Sequence, residues 1–256
     1  PYDKMAAVRS IVLVVLLFAL AGVHSLQDGV QASQCYYPGV VAVIFPPNNL
    51  LLSTGIRVNG VLYLPEICGA GIDFALEDFP LMMVYGEGDK NVTIPMYSKG
   101  TYVDGVFQMT IPEPMVTDCN SEAILYNSSM TIDETTCQIA GYGGNIAELT
   151  KIYDGVLNAA PITKSTSASC CQMIYKSLNN EEQGLITDTT TPLNCVSSSA
   201  SVCGMGDLGD PVYCTNTLGE RVVMGLAASA PCYSGNTFVL HDLTDRSPIF
   251  KFGLST

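Results

Sequence analysis

Ten cysteines constrain this chain of 256 residues more than any other feature, and the first of them is Cys35. Proteins that carry many cysteines are mostly those of oxidising compartments, where pairs of thiols become disulfides. None of the ten stands in a C-x-x-C arrangement, which disfavours a structural zinc site. The cysteines therefore predict a disulfide-stapled protein, although their spacing alone does not choose among the pairings.

The N-terminal region has the pattern of a secretory signal, once residues 1–4 are set aside as upstream sequence. Arg9 supplies a basic start, residues 11–23 form an apolar run, and small or apolar side chains precede an expected cut after Ser25. The 13 residues of this run are too few to cross a bilayer. We therefore predict a signal peptide at residues 5–25 and a secreted, extracellular protein.

Secretion has two further consequences for the mature chain. It makes two N-glycosylation sequons usable, Asn91-Val-Thr and Asn127-Ser-Ser, and both are expected at the surface. It also removes His24 and leaves His241 as the one histidine, which is expected to be structural or to lie at the surface.

Short apolar runs rich in β-branched or aromatic residues recur between Gly, Pro, Asn and Asp, which predicts an all-β protein. The expected strands lie at residues 40–45, 60–64, 81–85, 102–111, 123–126, 222–227 and 237–240. Helical periodicity is fair only at residues 164–178 and in the last dozen residues, and the Ser- and Thr-rich stretch 188–201 is expected to be a surface loop held by Cys195. The pattern alone does not separate a sandwich from a barrel.

The charge balance, 11 Lys and Arg against 24 Asp and Glu, gives a formal net charge of −13. Such a surface disfavours binding to nucleic acid and to anionic membranes. We expect neither of these partners, no cofactor and no metal. Four carboxylates are candidate cation contacts, although solvated loop side chains are the commoner interpretation: Glu87, Asp89, Asp133 and Glu134.

The segment 203–214, CGMGDLGDPVYC, resembles the nucleophile loop of trypsin/chymotrypsin-family serine proteases, C-x-G-D-S-G-G-P-L-x-C. One residue is added after Cys203, Leu208 stands at the place of the nucleophilic serine, and Asp210 replaces a glycine. The loop that would carry the oxyanion amides then consists of Gly206, Asp207, Leu208 and Gly209.

Other segments resemble the same family in the same order along the chain. The segment 137–143, CQIAGYG, is similar to C-x-x-x-G-W-G, and 102–111, YVDGVFQMTI, is similar to the strand that carries the triad aspartate, which puts Asp104 at that place. The segment 53–68 is similar to the one that ends in A-A-H-C, with Ile67 at the histidine position. Segments 222–228 and 237–240 also match, so the resemblance covers about residues 37–256.

The resemblance implies a fold of two six-stranded antiparallel β-barrels with a C-terminal helix. The first barrel would span about residues 37–135 and the second 136–256, after an N-terminal segment 26–36 tethered by Cys35. The family pattern implies four disulfides, namely Cys35–Cys119, Cys137–Cys214, Cys171–Cys195 and Cys203–Cys232. Cys68 and Cys170 have no partner in this pattern. The usual partner of Cys68 is missing because Leu52 lies where that cysteine would be. These two cysteines are expected to pair with each other, to stay buried as thiols or to link chains.

The chemistry that the resemblance would imply is missing. In this family a serine oxygen attacks the scissile carbonyl, a histidine takes its proton and an aspartate orients the imidazole. Leu208 has no nucleophilic atom, Ile67 cannot carry a proton, and Asp104 alone is not catalytic, so we predict no catalytic residue. The family's activating cut is missing too, since residues 26–56 hold no Lys or Arg. Asp207 would then lack its cationic partner and is expected to be hydrogen-bonded or solvated.

Three functions remain open. The first is a secreted, non-catalytic protease homologue that binds a protease, an inhibitor or an immune protein. The alternative is a structural protein of an extracellular secretion, in which spare cysteines form disulfide-linked oligomers. The least favoured is a trypsin-like endopeptidase with an altered triad, because two of the three residues are replaced and no other base is available.

Overall fold

The structure is a computed structural model that describes residues 24–27, 29–85, 92–103, 105–111, 122–143, 152–165, 194–203, 206–229 and 237–243. Within these ranges β-strands predominate, with one short 3-10 turn, Gln34–Tyr36, and one α-helix, α1 (Glu66–Leu76). The strands are β1 (His24–Gln27), β2 (Val30–Gln31), β3 (Val40–Phe45), β4 (Leu50–Val58), β5 (Val61–Pro65), β6 (Leu81–Tyr85), β7 (Val92–Met96), β8 (Thr101–Val103), β9 (Val106–Thr110), β10 (Ile124–Leu125), β11 (Ile132–Gly141), β12 (Asn158–Ser165), β13 (Asn194–Ser198), β14 (Ser201–Cys203), β15 (Pro211–Asn216), β16 (Arg221–Ser229) and β17 (Thr237–Asp242). The expected all-β class is confirmed.

The first sheet has the strand order β7-β6-β3-β4-β5-β9-β8 and is antiparallel throughout. Its β4–β5 hairpin is closed by Asn59 and Gly60, which have φ of 50° and 76°. Two consecutive residues with positive φ form the tight turn whose twist matches that of paired strands, and Asn-Gly is the sequence that adopts it most readily. This turn sets the register that pairs Val58 with Val61.

The second sheet closes on itself as a six-stranded antiparallel barrel. Strands β11, β12, β13, β17, β16 and β15 pair in that order, and β15 returns to β11. A disulfide joins Cys137 of β11 to Cys214 of β15, with 4.1 Å between their Cα atoms. Closure leaves none of these six strands as an edge.

The two sheets repeat one topology. When β8 is left aside, the first sheet places its strands in the order fifth, fourth, first, second, third, sixth along the chain. The barrel strands follow the same order when β14, which pairs with β1, is left aside. In the barrel the fifth and sixth strands also pair, whereas among the described residues of the first sheet the corresponding strands β7 and β9 do not.

Buried side chains form three clusters that follow from this arrangement. One fills the barrel, one lies within the first sheet together with α1, and the third lies between the two sheets. Strand β3 contributes Val41 and Val43 to the first-sheet cluster, and Val40, Ala42 and Ile44 to the shared one. A strand buried on both faces needs an unbroken apolar run, which is why β3 lacks the usual alternation.

One buried charge lies where the chain leaves the first sheet. The guanidinium of Arg57, with 2% of its side chain exposed, donates to the carbonyl of Ile111 at 3.0 Å and lies 3.5 Å from the carboxylate of Glu122. The backbone of Arg57 also accepts from the Ala123 amide at 2.9 Å. These contacts hold residues 122–123 against strand β4, just ahead of β10, which pairs with the barrel strand β16.

Several sequence predictions differ from the observed elements. Lys164 and Ser165, expected to begin a helix, belong to strand β12, and residues 166–178 lie outside the described ranges. The stretch 188–201, expected to be a loop, contains strand β13 and the first residue of β14. Both predictions failed because β13 pairs with β12 and β17, and such distant partners override weak local preferences. The predicted C-terminal helix lies outside the described residues, and helix α1 was not predicted.

The N-terminal predictions lie largely outside the described ranges. Strand β1 spans the bond after Ser25 that the signal-peptide prediction expects to be cut, and it pairs with β14. The predicted barrel boundary at residue 135 falls inside β11, while the strands themselves change sheets between Thr110 and Ile124. None of the described helices is long and apolar enough to cross a membrane.

Candidate functional site

The segment that resembles a nucleophile loop forms a tight turn between β14 and β15. Gly206 and Gly209 have φ of 93° and 92°, a backbone region that side chains rarely tolerate. Space is equally restrictive, because a Cβ on Gly209 would lie 1.8 Å from the carbonyl oxygen of Thr54. The two glycines therefore allow the turn to approach strand β4 of the first sheet.

Two hydroxyl groups of β4 hold this turn by its carbonyl oxygens. Thr54 Oγ1 donates to the Gly206 carbonyl at 2.7 Å, and Ser53 Oγ donates to the Leu208 carbonyl at 2.8 Å. The Thr54 amide also points to the Leu208 carbonyl, at 3.3 Å. Thr54 Oγ1 in turn accepts from the Tyr142 amide at 3.2 Å, so the end of β11 joins the same network. The site thus lies where the two sheets meet.

Two aspartates of the turn are completely buried, Asp207 and Asp210. Glycines at the end of β11 make room for them. A Cβ on Gly143 would lie 1.5 Å from Asp207 Oδ1, and a Cβ on Gly141 would lie 1.9 Å from Asp210 Oδ1. Of the two alternatives expected for Asp207, hydrogen-bonded or solvated, the structure excludes solvation, because the fold encloses its carboxylate. Near the start of β3, the carbonyl of Pro38 accepts from the hydroxyl of Tyr213 at 2.9 Å.

Leu208 occupies the position between the two glycines. Its side chain is partly buried and packs against the first-sheet cluster that contains Cys68 and Leu52. It offers no oxygen, nitrogen or sulfur to a substrate. The N–H groups of Gly206 and Leu208 donate no hydrogen bond within the described part of the chain. The turn therefore presents backbone donors beside an apolar side chain.

Cys68, which follows Ile67 in α1, is a buried free thiol. Its pKa is raised to about 12. Burial is the main cause, the charge of Asp210 also raises the pKa, and a hydrogen bond with Ser53 partly offsets both. Thiols attack as thiolates, so a thiol with this pKa is inert at neutral pH. Of the alternatives open for Cys68, the structure selects the unpaired buried thiol. It also brings Ser53, Asp210 and Cys68 together, a grouping that the sequence did not predict.

The remaining site predictions fall into three groups. The disulfide Cys137–Cys214 is confirmed, and Cys35 is disulfide-bonded. Ile67 lies at the start of α1, where its side chain is not described. Some predicted residues lie outside the described ranges or in strands whose side chains are not described: Asn91, Asp104, Cys119, Cys170, Cys171, Cys195, Cys203 and Cys232.

Two predicted residues outside the turn are described. His241, with 8% of its surface exposed, lies in β17 and pairs with Leu226 of β16, so it is structural rather than at the surface. Asn127 lies in an exposed turn, where its side-chain oxygen accepts from both the amide and the hydroxyl of Ser129. The Asn127 sequon therefore lies at the surface, as expected, whereas its glycosylation stays a prediction.

The candidate cation contacts do not assemble into a site where they are described. Glu87 and Asp89 lie outside the described ranges, whereas Asp133 and Glu134 are exposed in β11. Asp133 accepts from the Thr135 amide at 3.0 Å, and the Thr135 hydroxyl and amide lower its pKa. Within the described residues, no group of three or more His, Cys, Asp or Glu side chains is placed to hold a metal ion.

Comparisons with family models and with curated proteins identify no relative of this chain. No protein-family model matches the chain, and a search of curated proteins finds no match either. The resemblance to serine proteases therefore depends on the sequence motifs alone.

Proposed function

We propose that this protein is a secreted, catalytically inactive homologue of the trypsin/chymotrypsin-family serine proteases that acts by binding another protein. The expected class of partner is a protease, an inhibitor or an immune protein. Leu208 carries the proposal, because it occupies the nucleophile position of a turn that keeps its glycines, its buried aspartates and its anchoring hydroxyls. Without a nucleophilic atom at this position no acyl-enzyme forms there.

The repeated strand order supports the family assignment. A chymotrypsin-like fold has two six-stranded antiparallel barrels, and here two sheets share one order of six strands, one of them closed. We propose that the first sheet is the counterpart of the closed barrel. The turn lies between the sheets, held by Ser53 and Thr54, which is where the catalytic residues of that fold meet.

The neighbourhood of Leu208 supports the proposed triad positions. Leu208 packs against the buried cluster that contains Cys68, and Cys68 directly follows Ile67 in α1. The proposed serine position therefore contacts this cluster, and the proposed histidine position is next to one of its members in the chain. Amides of Gly206 and Leu208 that remain free to donate would suit the carbonyl of a substrate-like loop that enters without being cut.

Labelling with a fluorophosphonate probe tests the absence of a nucleophile. We expect no labelling of the purified protein, before or after trypsin treatment, whereas active trypsin labels in parallel. A variant with Ile67→His and Leu208→Ser restores two proposed triad positions and is expected to label. Leu208→Ser alone, its matched control, is expected to stay unlabelled because it lacks a base. Clear labelling of the unaltered protein would contradict the proposal, and a silent double variant would remove the assignment of Ile67.

The binding role is tested by crosslinking the mature protein in its source fluid and identifying the captured chains by mass spectrometry. We expect a protease, an inhibitor or an immune protein in stoichiometric amount. Recovery of its own chain alone, in disulfide-linked multiples on non-reducing gels, would favour the structural alternative. Nothing in the described residues favours that alternative, since Cys68 is enclosed and cannot reach another chain.

A further inference from the structure

The free end of the first sheet is a surface built by helix α1 and strand β8. β8 is the terminal strand of the described sheet, and its three residues are exposed, with Tyr102 at 44% and Val103 at 47%. Phe74 of α1 is also exposed, at 40%. An edge strand with exposed apolar side chains is a template for pairing with another chain.

Asp73 joins the helix to the strand and makes this a single surface. Its carboxylate accepts from the Tyr102 hydroxyl at 2.9 Å and from the Gly100 amide at 3.0 Å. The Tyr102 ring also meets Phe107 edge to face, with 5.5 Å between centroids. We call the partly buried Asp73 and the exposed residues Phe74, Glu77, Asp78, Tyr102 and Val103 the α1–β8 surface.

The charge of this surface is one-sided. Asp73, Glu77 and Asp78 contribute carboxylates, and the nearby Lys99 is paired with Glu77. Burial raises the pKa of Tyr102, and the Asp73 hydrogen bond and the charges of Asp73 and Glu66 raise it further. These groups therefore interact electrostatically.

Two of these acidic residues, Glu77 and Asp78, are unfavourable for the end of the helix at which they lie. The C-terminal end of a helix bears partial negative charge and favours Lys, Arg or His. Here Glu77 is the C-cap, Asp78 follows it, and the last turn of α1 has no basic residue. Residues that disfavour the structure in which they lie occur mainly where a function requires them. A bound cation would relieve both the carboxylates and the helix end.

We propose that the α1–β8 surface docks an extended, Lys- or Arg-rich segment of a partner protein. The segment would add a strand to the edge of β8 that has no partner strand among the described residues. It would rest apolar side chains on Phe74, Tyr102 and Val103, and place its cations beside Asp73, Glu77 and Asp78. A second copy of this chain fits poorly, because it would bring the same carboxylates together in a protein of net charge −13. The inference deepens the proposed binding role and names a surface and a partner chemistry for it.

Two synthetic peptides test the proposal on the full chain. The first alternates Lys and Val over eight residues with blocked ends, and the second replaces each Lys by Glu. We expect the basic peptide alone to bind in fluorescence anisotropy titrations. Binding should weaken as salt rises from about 0.05 to about 0.5 M, because screening shortens the reach of charges. Hydrogen exchange should slow at residues 101–103 when the basic peptide is bound.

A matched pair of variants separates this surface from the general negative charge. Glu77→Gln with Asp78→Asn removes two charges here, and Asp133→Asn with Glu134→Gln removes two exposed charges from β11. We expect the first variant to weaken binding about three- to tenfold and the second to change it less than about twofold. Circular dichroism and thermal melting establish that both variants fold.

Three outcomes would overturn the proposal: equal weakening by both variants, protection at residues other than 101–103, or concentration-dependent self-association blocked by the basic peptide. The last would make a second copy the occupant. These readouts do not involve Leu208, so labelling by the fluorophosphonate could refute the proposed inactivity while the docking surface stands. Failure of the peptide experiment would equally leave the inactive turn untouched.

Discussion

The two sheets of this protein share one order of strands, yet only one of them closes among the described residues. In the barrel β16 pairs with β17 and a disulfide spans β11 and β15. In the first sheet the described end is the exposed strand β8, and the cysteine of α1 is an unpaired thiol. A closed sheet satisfies its own edges, whereas an open one leaves hydrogen-bonding groups for other chains. The comparison suggests that stability lies mainly in the barrel and binding in the first sheet.

Removing the disulfide of the barrel should cause the largest loss of stability. The double substitution Cys137→Ala and Cys214→Ala is expected to lower the free energy of unfolding by about 2–5 kcal/mol, because the unfolded chain regains its freedom. Cys68→Ala is the control in the first sheet and is expected to cost about 1 kcal/mol. Urea unfolding measures both. Equal losses would contradict the proposed division between the sheets.

Filling the space beside the turn should cause the second largest loss of stability. Gly143→Ala places a methyl group 1.5 Å from Asp207 Oδ1, and the displaced carboxylate is expected to cost about 1–3 kcal/mol of unfolding free energy. If the overlap with Asp207 is the cause, the added cost should shrink in an Asp207→Ala background, which a double-mutant cycle measures by urea unfolding. A cost that is unchanged in that background would show that Gly143 acts through something else.

Removing a hydroxyl group that links the two sheets is expected to lower stability by a smaller amount. Thr54→Val leaves the Gly206 carbonyl and the Tyr142 amide without their partner, at a cost of about 1–2 kcal/mol. Thr54→Ser keeps the hydroxyl and should cost less. Thermal melting ranks the three proteins, and a valine variant as stable as the unaltered protein would mean that the anchor does not stabilise the contact between sheets.

Ionisation of the Cys68 thiol should leave the unfolding free energy unchanged at neutral pH and lower it increasingly in alkali. The folded pKa of Cys68 lies near 12, above its ordinary value of 9.0, so folding favours the neutral thiol. That contribution is fully present below about pH 8 and is lost as pH rises through the unfolded pKa toward 12. The unfolding free energy of the unaltered protein should therefore fall faster above pH 9 than that of Cys68→Ala. Parallel curves would contradict the enclosed position of the thiol.

Sequence reasoning worked best where a local pattern was strong. The run at residues 40–45 and the run at 81–85 coincide with β3 and β6. The run at 102–111 is instead a hairpin of β8 and β9, since Gly105, at φ 76°, breaks it. The Asn59-Gly60 turn carried a signal that would have predicted the β4–β5 hairpin. Helix α1 and strand β13 had weak local signals, and their long-range partners decide their conformation.

By itself the sequence determined the all-β class, a chain suited to disulfides, and a Leu208 that offers no nucleophilic atom. These follow from residue types and short patterns, which persist wherever the chain lies. The pairing of Cys137 with Cys214 was implied by the resemblance to serine proteases, and the structure confirms it. The tertiary structure alone decided that Ser53 and Thr54 hold the turn, that Gly141 and Gly143 make room for two buried carboxylates, and that Cys68 stays unpaired. Those outcomes depend on contacts between residues far apart in the chain, and no local pattern specifies which distant atoms will meet.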